Sequence, residues 1–170
     1  SRRQRQMCIR DSNYTASTRL ILKQCGLSDE DIDNRLIKVH GEASNNDIIF
    51  GVEDNAGIKK EHVFLRKAYN IKYKALNFSE LYDRIKSVAI FGHSLGETDH
   101  TYFNKLFQES CMYNKFSTNN NKEFWLFYYK ENGYHCMMQQ LDSLTHNSLT
   151  SFRQYNRVNF INTDKEKVFI

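Results

Sequence analysis

Short apolar runs alternate along this chain with segments whose apolar residues recur at helical spacing. Predicted strands lie at residues 36–40, 48–52, 88–91, 124–129 and 158–161. Predicted helices lie at residues 16–25, 64–69, 78–85, 100–112, 134–144 and 149–155, and residues 27–33 form a polar connection. Strands that alternate with helices are typical of parallel pairing, because a parallel pair needs a long crossover. The sequence therefore predicts a layered α/β fold with a largely parallel sheet.

Two of the predicted strands have distinctive compositions. Residues 88–91 are continuously apolar, which predicts a strand buried on both faces. Residues 124–129 are mostly aromatic without interleaved basic residues, so we expect them to occupy alternating faces of a core strand rather than to stack nucleic-acid bases. The cysteines lack any CxxC spacing and are predicted to be reduced and mostly buried: Cys8, Cys25, Cys111 and Cys136.

The net charge of +4 is concentrated at the amino end. Residues 1–12 hold four arginines against Asp11 alone, and without this segment 20 basic and 19 acidic residues remain. A nucleic-acid partner is therefore disfavoured. The segment SRRQRQMCIRDS resembles a translated sequencing adaptor, so residues 1–12 are predicted to be an artefactual tail. Residues 13–170 are predicted to form a single Rossmann-like α/β domain, the C-terminal part of a longer protein and incomplete at its amino terminus.

Targeting and membrane signals are missing from this sequence. No apolar run approaches the roughly 20 residues that span a bilayer. The first residues also lack the apolar core of a secretory signal. We therefore expect a cytoplasmic protein with no membrane partner.

Two segments just after predicted strands are candidates for a ligand site, because ligands of parallel sheets bind beyond the carboxyl ends of the strands. In the first, His40 ends a strand and Gly41 lets the backbone turn sharply or approach a ligand. In the second, a strand leads into Gly92-His93-Ser94-Leu95-Gly96 and then into a helix start. The glycines and free helix amides there suit a phosphate or an oxyanion.

The Gly-His-Ser-Leu-Gly loop also fits the GxSxG pattern of serine hydrolases. That chemistry needs an acid and a histidine on later strand ends, whereas Asp142 and His146 lie on or beside one predicted helix. A serine hydrolase is therefore the third interpretation, and it requires a histidine hydrogen-bonded to Ser94. His93, Asp99 and His100 lack a recognised metal-ligand spacing, so no metal site is predicted.

Several motifs occur in the order and spacing of AbiH-type bacteriophage abortive infection proteins. They are Asn13-Tyr14-Thr15, IKVHG followed by DIIFGVED, IFGHSLGETDHTYFNKLF and the strand FWLFYY. The chain is identified as a member of this family, which implies a role in bacterial antiviral defence. The family is similar, more remotely, to sirtuin-like NAD-binding domains, which implies nucleotide binding with NAD as the cofactor or substrate.

The resemblance assigns roles to the residues that match these motifs. It implies that His40 is the general base and that Asn13 orients water or ribose hydroxyls. It also implies that Ser94 and the loop around it hold the ribose or the phosphates, and that Asp99 caps the helix behind them. The implied ligand-binding set is Gly41, Gly92, His93, Ser94, Gly96 and Asp99.

The implied reaction is cleavage of the nicotinamide glycosidic bond through an oxocarbenium-like state, and a histidine that titrates near neutral pH suits its base. AbiH-type proteins begin with a GNGFD-type segment that this chain lacks. We therefore expect the activity only in the full-length protein. The alternative is a non-catalytic interaction or toxin module with a vestigial pocket, which binds a phage or host protein as its trigger. The oligomeric state is not predicted.

Overall fold

Two parallel sheets organise the chain, one in each of two compact units, Ser1–Leu76 and Asn77–Ile170. The structure, a computed structural model, describes residues 9–12, 15–49, 51–52, 56–70, 82, 85–112 and 121–165. Both sheets are parallel and flanked by helices, so the predicted α/β class is confirmed. The predictions of a single domain at 13–170 and of an artefactual tail at 1–12 stay predictions.

The first unit contains a two-stranded sheet and two short helices. Its elements are β1 (Ile9–Asp11), α1 (Ser17–Gln24), α2 (Asp29–Arg35) and β2 (Leu36–Lys38). Turns of 3-10 helix follow at Ala43–Asn45, Lys60–Leu65 and Lys67–Tyr69. In the parallel pair, Ile9 lies opposite Leu36. Gly26, with φ +85°, ends the first helix where the sequence predicted its stop.

Helix α2 replaces the polar connection predicted at residues 27–33, so that prediction was wrong. Ser28 caps this helix, because its hydroxyl accepts a hydrogen bond from the backbone amide of Asp31. Acidic residues fill the first turn, where they interact favourably with the helix dipole. The serine cap and the acidic first turn therefore stabilise a helix that apolar periodicity in the sequence did not predict.

The segment after β2 also differs from its prediction. The strand predicted at residues 48–52 is reduced, within the described residues, to an isolated bridge between Val52 and Arg66. The helix predicted at 64–69 is 3-10 rather than α. The helix predicted at 78–85 lies outside the described residues except for Tyr82 and Ile85.

The second unit is built from β-α-β crossovers around a three-stranded sheet. Its elements are β3 (Ser87–Ile90), a 3-10 turn (Glu97–Asp99), α3 (His100–Ser110), β4 (Glu123–Tyr128), α4 (Lys130–Leu144), α5 (Leu149–Tyr155) and β5 (Arg157–Asn162). The strand order is β3-β4-β5, with Ile90 opposite Leu126 and Leu126 opposite Phe160. All these strands were predicted from the sequence.

One face of this sheet carries the core of the second unit. Ile90, Phe124 and Leu126 pack there against side chains from all three helices, namely Leu106, Phe107, Met137, Leu141, Leu144 and Phe152. The opposite face is more open, since Ala89 and Phe91 are exposed. The prediction that residues 88–91 are buried on both faces was therefore wrong, because the core helices pack on one side only.

Two further expectations about burial need correction. Tyr129, predicted to lie in a core strand, follows β4 and is exposed. Cys25 and Cys136 are also exposed, and only Cys111 is partly buried among the described cysteines.

None of the helices in the described part of the chain is long and apolar enough to cross a membrane.

Candidate functional site

The residues predicted to form the site fall at strand ends in both units. His40 and Gly41 follow β2 in the first unit, and residues 92–96 follow β3 in the second. Asn13 lies outside the described residues.

His40 and Gly41 form a tight turn that Asp47 closes. The side chain of Asp47 accepts a hydrogen bond of 2.7 Å from the backbone amide of Glu42, and the carbonyl of His40 accepts one from Ile49. Gly41 has φ +75°, and a Cβ placed on it would lie 2.1 Å from the carbonyl oxygen of Asp47. Only glycine fits this position. The role of Gly41 as a ligand contact stays a prediction, because its structural role is sufficient to require a glycine.

A buried charged group that was not predicted from the sequence lies around the same strand ends. The Lys38 ammonium is 2.7 Å from a carboxylate oxygen of Asp11 and 3.5 Å from one of Glu42. Both carboxylates are buried, as is the neighbouring His40. The sequence indicated this group only through the charges of Lys38 and Glu42 on either side of the Val-His-Gly turn. The pairing satisfies charges that would otherwise be costly to bury.

The loop after β3 combines exposed and buried residues. Gly92, with φ +65°, and Ser94 face solvent. Leu95, which lies between Ser94 and Gly96, has a fully buried side chain. Its φ of +55° is in the left-handed region. A leucine in this conformation is strained and persists only where the surroundings fix it.

Two histidines fix Leu95, and we call this arrangement the histidine clamp. Nδ1 of His93 accepts a hydrogen bond of 2.9 Å from the backbone amide of Leu95. Nε2 of His100 donates to the carbonyl of Leu95 at 3.0 Å. Each histidine has a second partner, since His93 Nε2 is 3.2 Å from a carboxylate oxygen of Asp99 and His100 Nε2 is 2.8 Å from Oε1 of Gln140. Both backbone polar groups of Leu95 are thus held by oriented side chains.

The clamp determines what His93 can do. Its Nδ1 is an acceptor, so its proton is on Nε2 and points to Asp99. His93 is therefore already engaged through both nitrogens and is not placed to deprotonate Ser94. Within the described residues, Ser94 has no hydrogen bond to any histidine, which is the contact that the serine hydrolase interpretation required. The position after a predicted strand and the family resemblance predicted His93 and Asp99 as ligand-binding residues, a role that stays a prediction, and Gln140 was not predicted.

In the part of the chain that the structure describes, no three or more His, Cys, Asp or Glu side chains converge to hold a metal ion.

Comparison with known proteins places these strand-end segments in a family. A family model described as Bacteriophage abortive infection AbiH matches residues 3–129 of the 170. The chain belongs to the AbiH family. Both candidate segments of this AbiH chain lie inside the match, which also includes β1 and ends just after β4. The family supports a role in anti-phage defence by abortive infection. Comparisons with curated proteins and with solved structures give no match.

Proposed function

We propose that this AbiH chain acts in abortive infection by binding a nucleotide, with NAD the leading candidate, at the loop formed by residues 92–96. Phosphate or ribose oxygens would accept hydrogen bonds from the Ser94 hydroxyl and from exposed backbone amides of the loop. The loop follows a parallel strand at its carboxyl end, where ligands of such sheets bind.

The observation that carries this proposal is the histidine clamp. Leu95 has a left-handed backbone conformation and is held by two histidines, each of which has a further partner. Such strain is found mainly at functional sites, where it contributes to preorganisation. Here the clamp fixes Gly92 and Ser94 on the outside of the loop, so that their polar groups are in place before a ligand arrives.

The proposed reaction is hydrolysis of the bond between nicotinamide and ribose. Water adds to the ribose carbon as nicotinamide leaves with the electron pair of the broken bond, and a general base accepts the proton of the water. The resemblance to sirtuin-like domains makes His40 the candidate for this base, and its alanine variant tests the role. Loss of NAD would stop the growth of an infected cell.

The test uses protein expressed from the complete reading frame at its genomic locus. NAD binding is measured by calorimetry and nicotinamide release by chromatography, for the wild type and for His40→Ala and Ser94→Ala. We expect His40→Ala to bind NAD without releasing nicotinamide, and Ser94→Ala to bind it more weakly. Ser143→Ala, at an exposed serine on α4, is the control and should behave as wild type. Absence of both binding and release in the wild type, also with phage lysate added, would overturn the proposal.

A second candidate function is supported by α1. This helix has no buried residue, and both Leu20 and Ile21 are exposed on it. Exposed apolar residues on one helix suit a protein partner, as the interaction-module hypothesis requires. If Leu20→Glu abolishes phage protection while NAD binding is unchanged, the interaction module becomes the better account.

A further inference from the structure

Aromatic residues line the edge of the second sheet beside the clamped loop. Phe91 follows β3 and is 55% exposed, and Tyr129 follows β4 and is 59% exposed. The two strands are parallel neighbours with Ile90 opposite Leu126, so both aromatic residues leave the sheet at the same carboxyl edge. Phe91 directly precedes Gly92, the first residue of the loop.

These aromatic residues lie on one face of the sheet. The ring of Phe91 packs edge-to-face on that of Phe127, with centroids 5.5 Å apart. Tyr129 comes two residues after Phe127 with extended backbone (φ −113°, ψ 122°), so strand alternation places both on the same face. This is the face opposite to the core of the second unit, to which Ile90 and Leu126 belong.

A positive charge lies at the same edge. Nζ of Lys130 is 4.9 Å from the centroid of the Tyr129 ring. Lys130 is the first residue of α4, an end at which the helix dipole favours negative rather than positive side chains. We call Phe91, Phe127, Tyr129 and Lys130 the aromatic edge.

The composition of the aromatic edge matches the two halves of a nucleotide. A flat heteroaromatic ring stacks on exposed aromatic side chains, and a phosphate is attracted by a lysine. A protein partner would also bury the aromatic rings. A protein partner does not account for their position beside a loop of exposed glycine and serine, whereas a nucleotide does. The charge and the position therefore favour a nucleotide as the occupant.

We propose that the aromatic edge binds the heteroaromatic ring of the nucleotide, with Phe91 and Tyr129 as its stacking residues and Lys130 attracting its phosphates. This inference rests on the proposed function and deepens it, because it assigns the base or nicotinamide ring to residues that the sequence motifs did not include. The sugar and phosphates then extend from this ring to the clamped loop.

The experiment measures the NAD dissociation constant of the full-length protein by calorimetry at low salt for Phe91→Ala, Phe91→Leu, Phe91→Trp and Tyr129→Ala. Stacking contributes enough per base that removing either ring should weaken NAD binding by on the order of 5- to 100-fold. Phe91→Trp should keep the affinity, whereas Phe91→Leu should lose it. Met112→Ala is the control, because Met112 is also an exposed apolar residue, at 67%, but lies beyond the far end of α3. Thermal unfolding verifies that each variant is folded.

The possible outcomes separate this inference from the proposed function. If wild-type protein binds NAD and Phe91→Ala binds it equally well, the aromatic edge does not hold the ring, and the proposed function still stands. If Phe91→Leu binds as well as the wild type, the contact is apolar rather than stacking, and the inference fails. If Phe91→Ala removes phage protection without changing NAD binding, the edge docks a macromolecule instead. A wild type that does not bind NAD overturns both proposals.

Discussion

At the scale of single residues, Gly41 shows how a sequence can identify a position without revealing its reason. The sequence indicated a glycine at a strand end, which is compatible with either a ligand contact or a turn. The carbonyl of Asp47 supplies the reason, since it occupies the space that any side chain would need. The local sequence does not predict that the backbone of Asp47, six positions later, would fill this space.

Replacing Gly41 by alanine is therefore expected to destabilise the first unit strongly. Both the positive φ and the clash with backbone oppose a Cβ, so we expect a loss of about 3 kcal/mol or more in the free energy of unfolding. Urea unfolding measures it. Gly57→Ala is the control, because a Cβ there meets nothing within 4 Å, and it should change stability by no more than about 0.5 kcal/mol. Equal stabilities of the two variants would contradict the geometry of the turn.

The described cysteines differ in their expected reactivity. Burial raises the pKa of the Cys111 thiol, so less of it is thiolate at a given pH, and its sulfur also donates to the carbonyl of Phe107. Cys25 and Cys136 are exposed. We expect iodoacetamide to label Cys25 and Cys136 first, and Cys111 labelling to begin only at higher pH. Peptide mass spectrometry over time gives the three rates, and labelling of Cys111 as fast as Cys136 at neutral pH would contradict this order.

At the scale of elements, α2 and the histidine clamp mark the limits of sequence interpretation. Helix α2 has seven residues, six of them polar or charged, so apolar periodicity could not find it. The sequence feature that could have predicted it is its capping serine. In the clamp, His100 and Gln140 belong to different helices and meet only after the chain folds. Spacing along a sequence cannot identify such a pair.

Removal of the α2 cap tests its contribution directly. Ser28→Ala deletes the acceptor for the Asp31 amide and should reduce stability by about 1 kcal/mol. Asn34→Ala is the matched control in the same helix, since it removes an exposed polar side chain where alanine has the higher helix propensity. Denaturant titration followed by circular dichroism should show a loss for the first variant and none for the second. A cap variant as stable as the wild type would mean that acidic residues alone maintain the helix start.

At the scale of the whole molecule, the alternation of elements predicted the class, and both parallel sheets confirm it. The amino-terminal edge of the second sheet is held by Asn156, which was not predicted. Its side chain donates to the carbonyls of Ser110 and Phe152 and accepts from the backbone amide of Lys122. This buried amide therefore connects α3, α5 and the start of β4. Sequence patterns predict strands and helices but not the long-range polar bonds that join them.

Asn156→Ala should destabilise the second unit by about 2 to 4 kcal/mol, because it leaves buried carbonyl and amide groups without these partners. Asn132→Ala, at an exposed asparagine on α4, should leave stability within about 0.5 kcal/mol of the wild type. Thermal unfolding compares the two. Since Asn156 lies at the edge opposite to the clamped loop, NAD affinity below the melting range should not change, and a selective loss of affinity would contradict this separation of roles.

The histidine clamp also has a consequence for the timing of ligand capture. Leu95 is held through its amide, its carbonyl and its buried side chain, so we expect the loop to keep this conformation without a ligand. Under the proposed function, a ligand would meet Gly92 and Ser94 already in their bound arrangement, so we expect diffusion rather than rearrangement to set the rate of association. Substitutions in this loop should then mainly raise the dissociation rate constant of the ligand and leave its association rate constant nearly unchanged.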